Sequence, residues 1–262
     1  MSESAGGRSS PRIRREPPPF KHVAVVRVER RTNWLVRVTL DGPDLGELVV
    51  DEPAASVRLL LPSTPGSELV VPTWNGNEFL LADGSRPILR TFTPIRPDGA
   101  TSELTLDVVV HEGGAASDWA VAAVPGDRAA VSGPGRGYTP DSEASAFLLT
   151  GDESAAPAIS QLISALAPQR PVRAGIEVIS PDAIGGRLAD TVASVDWCVL
   201  QDGAPPGTAQ FEYVSAAPIE PGTRIWAAGE AAAMQRIRRH LFDGRGIDRS
   251  HTMIRGYWKR GR

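Results

Sequence analysis

The stretch "ASAFLLTGDESAAPAISQLISALA", residues 144–167, decides the fold of the second half of the chain. Its first part, residues 144–152, is an apolar strand that runs into a glycine turn. Its second part, residues 153–167, carries apolar residues at helical spacing, at Ile159, Leu162, Ile163 and Leu166. A buried strand that leads through glycine into an amphipathic helix is typical of a parallel-sheet α/β unit.

The same alternation continues to the end of the chain. Further strands are predicted at residues 172–180, 195–201, 224–230 and 252–258, with a helix at residues 231–246. Strands that alternate with helices favour a parallel sheet with helices on its faces.

The N-terminal half has a different sequence pattern. Short runs rich in Val and Thr predict strands at residues 22–31, 34–42, 56–62, 102–111 and 127–134, and a further strand contains Arg90 and Phe92. Such strands with turns between them indicate a small antiparallel barrel. We therefore predict an arm at residues 1–19, a barrel domain at 20–142 and an α/β domain at 143–262.

Composition excludes several function classes. The net charge is −3 and the pI is about 5.9, which argues against a general nucleic-acid binder. No apolar run is long enough for a transmembrane helix, and the N-terminus lacks the apolar centre of a signal peptide. The single cysteine, Cys198, cannot form an internal disulfide or hold an iron–sulfur cluster. The four histidines are not spaced as a metal site, so we expect no resident metal. The single cysteine fits a reducing cytoplasm. No motif indicates an oligomer, so we expect a monomer.

The segment "ILRTFTPIRPDG", residues 88–99, places a cation, a flat ring and a hydroxyl within four residues. Arg90 and Phe92 lie two apart on a strand and therefore share a face. They suit a group that is both anionic and planar, with Arg90 pairing with a phosphate and Thr93 donating to a polar edge of the ring. The alternative is that Phe92 belongs to the core and Arg90 is a surface charge.

The segment "VVVHEGGAASDWA", residues 108–120, predicts a strand that ends at His111 and a helix that starts among small residues. Ala115, Ala116 and Ser117 would let a pyrophosphate approach the helix N-terminus. The alternative is that Ser117 is the N-cap of this helix, and the two roles are compatible.

Two turns of the α/β half follow the ends of predicted strands, "TGDES" at 150–154 and "AAGEA" at 227–231. Ligands of open α/β sheets bind beyond the carboxyl ends of the strands, and the free N–H groups of a helix start attract anions. The turns are therefore candidate anion sites, or else ordinary strand–helix turns.

Taken in order, these segments resemble the flavin reductases of the ferredoxin–NADP reductase superfamily. Within it, the chain is most similar to the siderophore-interacting protein family, the NAD(P)H-dependent ferric-siderophore reductases. The resemblance rests on "RTFTPIRPD", "LDVVVHEGGAASDWA", "VPGDRAAVSGPGRG", "LLTGDESAAPAI", "WAAGEAAAMQRIRRHL" and "RGYWKRG". It covers about residues 20–262.

The resemblance implies an antiparallel FAD-binding β-barrel followed by a parallel-sheet NAD(P)-binding α/β domain. FAD would be bound by Arg90, Phe92, Thr93, His111, Ala115, Ala116 and Ser117, with Trp258 nearby. NADPH or NADH would lie along Gly151, Asp152, Glu153, Gly229 and Glu230. The ferric siderophore would meet the basic residues Arg58, Lys259 and Arg260.

Three features depart from the family pattern. Phe92 stands where the family often has tyrosine, and Ala115 stands where it usually has proline. Residues 203–222 are poor in helix signal, so we expect one helix of the second domain to be reduced.

The resemblance thus predicts a flavin-mediated, NAD(P)H-dependent ferric-siderophore reductase. The alternatives are a general ferric reductase, a flavoprotein fed by ferredoxin, and a binding module without FAD. The choice between NADH and NADPH stays open, because both Asp182 and Arg187 follow the second strand of the α/β half.

Overall fold

The computed structural model describes residues 16–64, 66–95, 103–184 and 195–261. The predicted arm falls largely on residues 1–15, and Arg187 on residues 185–194, both outside the described residues. None of the helices in the described ranges is long and apolar enough to cross a membrane.

The first half is an antiparallel barrel, as predicted. Its elements are β1 (Lys21–Arg30), β2 (Leu35–Asp41), β3 (Val57–Leu61), the short hairpin of β4 (Thr73–Trp74) and β5 (Phe79–Leu80), β6 (Ile88–Phe92), β7 (Leu104–Val109), α1 (Ala115–Ala122) and β8 (Arg128–Ser132). Six strands form one sheet in the order β6-β3-β8-β1-β2-β7. A bridge between Ile95, just beyond β6, and Thr105 of β7 brings the two edges together, which nearly closes the sheet.

The barrel interior is apolar because inward-facing residues alternate along each strand. Val36, Val38 and Leu40 of β2 are buried at alternate positions. Helix α1 contributes Trp119 and Ala120 to the same core. Because α1 is anchored in this core, its N-terminus is held beside the barrel.

The second half is the predicted parallel α/β unit. Its elements are β9 (Ala146–Asp152), α2 (Ala156–Leu166), β10 (Val172–Val178), β11 (Val195–Val199), α3 (Thr208–Ala216), β12 (Thr223–Glu230), α4 (Ala231–Arg239) and β13 (Thr252–Trp258). The sheet order is β11-β10-β9-β12-β13, and every pairing is parallel. The interior strand β12 is buried at every position, since apolar clusters cover both faces of the sheet.

Two predicted helices differ in detail. Residues 153–155 form a 3₁₀ turn, and α2 begins only at Ala156, with Pro157 in its first turn. Proline suits that place because the first-turn N–H has no helical partner. Helix α4 ends at Arg239 and continues as a π-helical turn over His240–Gly244.

Residues 203–222, where we expect a reduced helix, contain α3 at Thr208–Ala216. Contacts with residues of strand β10 stabilise this helix. The buried carboxylate of Glu177 on β10 accepts hydrogen bonds from the amides of Gly207 (2.6 Å) and Gln210 (3.0 Å). The Tyr213 ring lies where a Cβ on Gly175 would stand, 2.4 Å away. Local sequence signals contain neither contact.

The two halves are joined by polar contacts, of which those of Gln161 are buried. The Gln161 side chain of α2 donates to the Pro94 carbonyl (2.6 Å) and accepts from the Ala54 amide (3.0 Å). The Arg255 guanidinium of β13 donates to the carbonyls of Arg136 (3.1 Å) and Gly137 (3.2 Å). Hydrogen bonds between defined partners fix the relative position of the elements that they join. The carboxyl edge of the parallel sheet is therefore held in place against the barrel.

Candidate functional site

The edge strand β6 carries an exposed cation on the inner side of the barrel sheet. Arg90 lies opposite Leu59 and Phe92 opposite Val57, and both partners belong to the barrel core. Phe92 is half-buried against that core, whereas Arg90 is exposed. Its guanidinium donates to the Leu89 carbonyl (3.0 Å). Within the described ranges, no carboxylate lies at ion-pair distance from it.

Thr93, directly after β6, joins this edge to the α/β half. It is buried, and its side chain lies close to the Tyr257 hydroxyl of β13. Burial raises the pKa of Tyr257, and the polar side chain of Thr93 opposes that rise. The end of β6 therefore meets the end of β13.

The start of α1 presents small residues and amides next to this edge. Its N-cap is Gly114, not Ser117, so the predicted capping role of Ser117 is wrong. Ser117 lies in the first turn and is buried, and its hydroxyl oxygen accepts from the His111 amide (2.9 Å). A Cβ on Gly114 would lie 2.3 Å from the His111 ring, so the ring rests on the glycine. Ala115 is half-buried and Ala116 is buried.

At the carboxyl edge of the parallel sheet, we predict helix N-termini with free N–H groups, but several of these groups donate to side chains of the protein. Three carboxylates of the chain accept hydrogen bonds from amides at this edge: Asp152 caps the 3₁₀ turn that precedes α2, and Glu177 and Glu230 cap α3 and α4. The start of α2 itself, at Ala155, has no side-chain cap. Asp152 accepts from the Ser154 amide (3.0 Å) and hydroxyl (2.5 Å), Glu177 caps α3, and Glu230 accepts from the amides of Ala232 (2.5 Å) and Ala233 (2.9 Å). These carboxylates occupy the positions at which an anionic ligand would bind.

The same edge holds further negative charge. The Glu153 carboxylate accepts from the Ile179 amide (2.7 Å). Burial raises the pKa of the Glu153 carboxyl to about 7, and the charges of Asp152 and Glu177 add to the rise. Burial also raises the pKa values of Asp152 and Glu177. Glu153 therefore titrates close to neutral pH.

The two glycines predicted for cofactor binding are needed for close packing. A Cβ on Gly151 would lie 2.5 Å from the Ala155 Cβ. A Cβ on Gly229 would lie 2.7 Å from Asp152 Oδ2. That oxygen accepts a hydrogen bond from Trp258 Nε1 (2.7 Å).

The three predicted substrate cations lie on different parts of the chain, one in the barrel and two after β13. Arg58 lies opposite Thr91 and Ser132, so it points away from the side of Arg90, and its guanidinium lies over the Phe79 ring at 6.0 Å. Lys259 and Arg260 follow β13 and are exposed. The Arg260 amide donates to Glu230 (3.4 Å). Asp182 is exposed beyond β10.

Sequence reasoning missed two residues that build the site, Glu177 and Gln161. A glutamate within the apolar strand "VRAGIEVIS" is a signal of a buried, partnered carboxylate, and it could have identified Glu177. Gln161 gave no such signal, because its partners lie in distant loops.

The residues beside the barrel fit FAD. The exposed Arg90 suits its phosphates, and half-buried Phe92 suits a flat ring. Within the described residues, no side chain caps the start of α1. A barrel with these residues, joined to a parallel α/β sheet, is the arrangement of an FAD-dependent oxidoreductase. Residues 24–138 match the siderophore-interacting FAD-binding domain, and residues 144–261 match the siderophore-interacting protein domain. The chain belongs to the siderophore-interacting protein family.

Solved structures and a curated relative agree with this assignment. A siderophore utilization protein from T. fusca is 34% identical, with a TM-score of 0.80, over 94% of this chain and 95% of that one. The siderophore-interacting protein SipS from Aeromonas hydrophila is 27% identical, with a TM-score of 0.76, over 94% and 93%. The NADPH-dependent ferric-chelate reductase of Escherichia coli is 26% identical over 91% of this chain and 92% of its own length.

Proposed function

We propose that the protein is an NAD(P)H-dependent ferric-siderophore reductase of the cytoplasm. The observation that carries the proposal is the junction of β6 and β13, where Thr93 contacts Tyr257. A flavin ring beside Phe92 would reach this junction from the barrel, and a donor at the carboxyl edge would reach it from the parallel sheet. In this proposal residues 20–142 bind FAD and residues 143–262 receive the donor. The Escherichia coli relative is named for the same reaction class.

The barrel residues would hold and orient FAD. Arg90 and the first amides of α1, with the Ser117 hydroxyl, bind the phosphates. Phe92 packs on the ring, and Thr93 fixes the edge that faces β13. FAD, when bound, accepts a hydride from a nicotinamide and passes single electrons to Fe(III). One NAD(P)H therefore reduces two ferric chelates, and Fe(II), with its lower charge, is held less tightly by the siderophore oxygens.

The exposed Lys259 and Arg260 would attract the ferric siderophore, which is often anionic. A cationic rim raises the local concentration of an anionic substrate and its association rate. Arg58 would contact substrate from the outer side of the barrel, together with the aromatic ring of Phe79.

A second candidate donor is a reduced ferredoxin. The observation that favours it is the capping of the helix starts at the carboxyl edge by Asp152, Glu177 and Glu230. These carboxylates leave less room for the pyrophosphate of a dinucleotide. A protein donor needs no such phosphate site.

The deciding experiment is the anaerobic visible spectrum of the purified protein. We expect flavin bands that bleach with NADH or NADPH and recover when ferric siderophore and an Fe(II) trap are added. Bleaching by reduced ferredoxin alone would replace the nicotinamide proposal with the ferredoxin-fed one. A colourless protein that FAD does not reconstitute would overturn the flavin roles of Arg90, Phe92 and Ser117.

Charge reversal at the rim tests the substrate site. In the Lys259→Glu/Arg260→Glu double variant, we expect kcat/KM for an anionic ferric tricatecholate to fall about fivefold at low salt, because electrostatic steering is lost. The difference should shrink at high ionic strength, where exposed charges are screened. The matched control is Arg239→Glu, an exposed arginine on the last turn of α4. An equal loss in the control would show a general charge effect.

A further inference from the structure

A carboxylate and an indole bond across the carboxyl edge of the parallel sheet. Asp152 ends β9 and Trp258 ends β13, and β12 lies between these two strands. Asp152 Oδ2 nevertheless accepts a hydrogen bond from Trp258 Nε1 at 2.7 Å. Neighbouring strands are about 4.8 Å apart, so the two side chains meet over the backbone of the intervening strand.

Gly229 of β12 provides the gap through which they meet. A Cβ at this position would lie 2.7 Å from Asp152 Oδ2. The glycine also has φ of +153°, a conformation that other residues rarely adopt. The pairing of β12 with β13 shifts register directly after it. A side chain at this position would therefore collide with the carboxylate and strain the backbone.

The other oxygen of the carboxylate is held as well. Asp152 Oδ1 accepts from the Ser154 amide and hydroxyl, and the residue is only 8% exposed. Three donors thus fix the carboxylate. Oδ1 caps the 3₁₀ turn that follows β9, which accounts for that oxygen, whereas Oδ2 accepts from the indole. A buried carboxylate oxygen without a partner is costly, so the bond to Trp258 satisfies Oδ2 and fixes the indole in return.

The indole itself is 39% exposed. Its neighbour Tyr257 lies close to Thr93 of the barrel, so Trp258 lies at the junction of the two halves. We propose that Asp152 is a positioning residue, which holds the Trp258 indole through the gap at Gly229 as a fixed wall of the donor cleft. The location of that cleft rests on the proposed function. An untethered indole would rotate into the space that the planar ring of the donor enters.

The tether is tested first by a measurement that does not depend on activity. In isotope-labelled holoprotein, the Nε1–H signal of Trp258 is assigned by its loss in Trp258→Phe. We expect slow solvent exchange in the wild type and in Asp152→Asn, which keeps an acceptor oxygen. Exchange should be at least about tenfold faster in Asp152→Ala and in Gly229→Ala, the factor that corresponds to about 1.4 kcal/mol. Ser154→Ala is the control that keeps the indole bond.

Kinetics then test the positioning role. We expect the KM for the electron donor to rise about tenfold in Asp152→Ala, with kcat changed less than twofold and with rescue by Asp152→Asn. In a Trp258→Phe background, Asp152→Ala should add less than a twofold change. Wild-type exchange in Asp152→Ala, or a KM effect that persists without the indole, would overturn the proposal. Failure of the wild type to reduce a ferric siderophore would instead contradict the proposed function and leave the exchange result intact.

Discussion

Replacing Arg90 with alanine is expected to weaken FAD binding about hundredfold. The guanidinium is exposed on the inner side of an edge strand, next to the half-buried ring of Phe92. Hydrogen bonds to charged groups contribute up to about 3 kcal/mol, and about 1.4 kcal/mol corresponds to a factor of ten. Titration of the apoprotein with FAD, followed by flavin fluorescence, measures the dissociation constant. The melting temperature of the apoprotein should not change, since exposed side chains contribute little to stability.

Two further variants make the Arg90 result specific. Arg90→Lys keeps the charge and loses the planar fork that binds phosphate through two parallel bonds, so its affinity for FAD should fall between those of the wild type and Arg90→Ala. Arg239→Ala removes an exposed arginine from the far end of α4 and should leave FAD binding unchanged. Unaltered affinity in Arg90→Ala would remove this residue from the phosphate site.

The barrel and the order of strands and helices could be predicted from the sequence, because both depend on local patterns. Alternating apolar residues in β2 and the helical spacing of Ile159, Leu162 and Ile163 are such patterns. Helix α3 could not be predicted in the same way. Its start is stabilised by Glu177 from another strand, and a window of neighbouring residues does not contain that contact.

The candidate site was predictable to the same extent. The pairing of Arg90 and Phe92 on one face follows from the period of a strand. The glycine turns at the carboxyl edge were identified, with ordinary strand–helix turns as the alternative to anion sites. Asp152 and Glu230 accept hydrogen bonds from local amides of these turns, a contact that the pattern of glycines does not reveal, and the anion sites stay a prediction. Gly229 is the clearest case. A glycine after a strand suggested ligand approach, whereas here it makes room for Asp152.

The carboxylates at the donor edge have a consequence for pH. Burial raises the pKa of Glu153 to about 7, so this side chain is neutral below pH 7 and negative above it. Asp152 of β9 and Glu177 of β10 act on Glu153 electrostatically and raise its pKa further. A dinucleotide phosphate at this edge would meet little repulsion from Glu153 in acid and full repulsion in base. Two unit charges about 8 Å apart repel by about 2 kcal/mol at an effective dielectric constant of about 20.

We therefore expect the KM for NADPH to rise about sevenfold between about pH 6 and pH 8. Full ionisation would give about thirtyfold, since about 1.4 kcal/mol is a factor of ten, but a group with a pKa of about 7 is still partly protonated at pH 8, and that protonated fraction binds the donor. Glu153→Gln keeps the acceptor oxygen for the Ile179 amide and removes the charge, so its KM should stay low and flat across that range. Glu143→Gln, at the opposite end of β9, is the matched control and should follow the wild type. Added salt screens charges and should lower the wild-type KM at pH 8. A KM that rises with salt at pH 8 would mean that cations, rather than Glu153, dominate the contact with the donor.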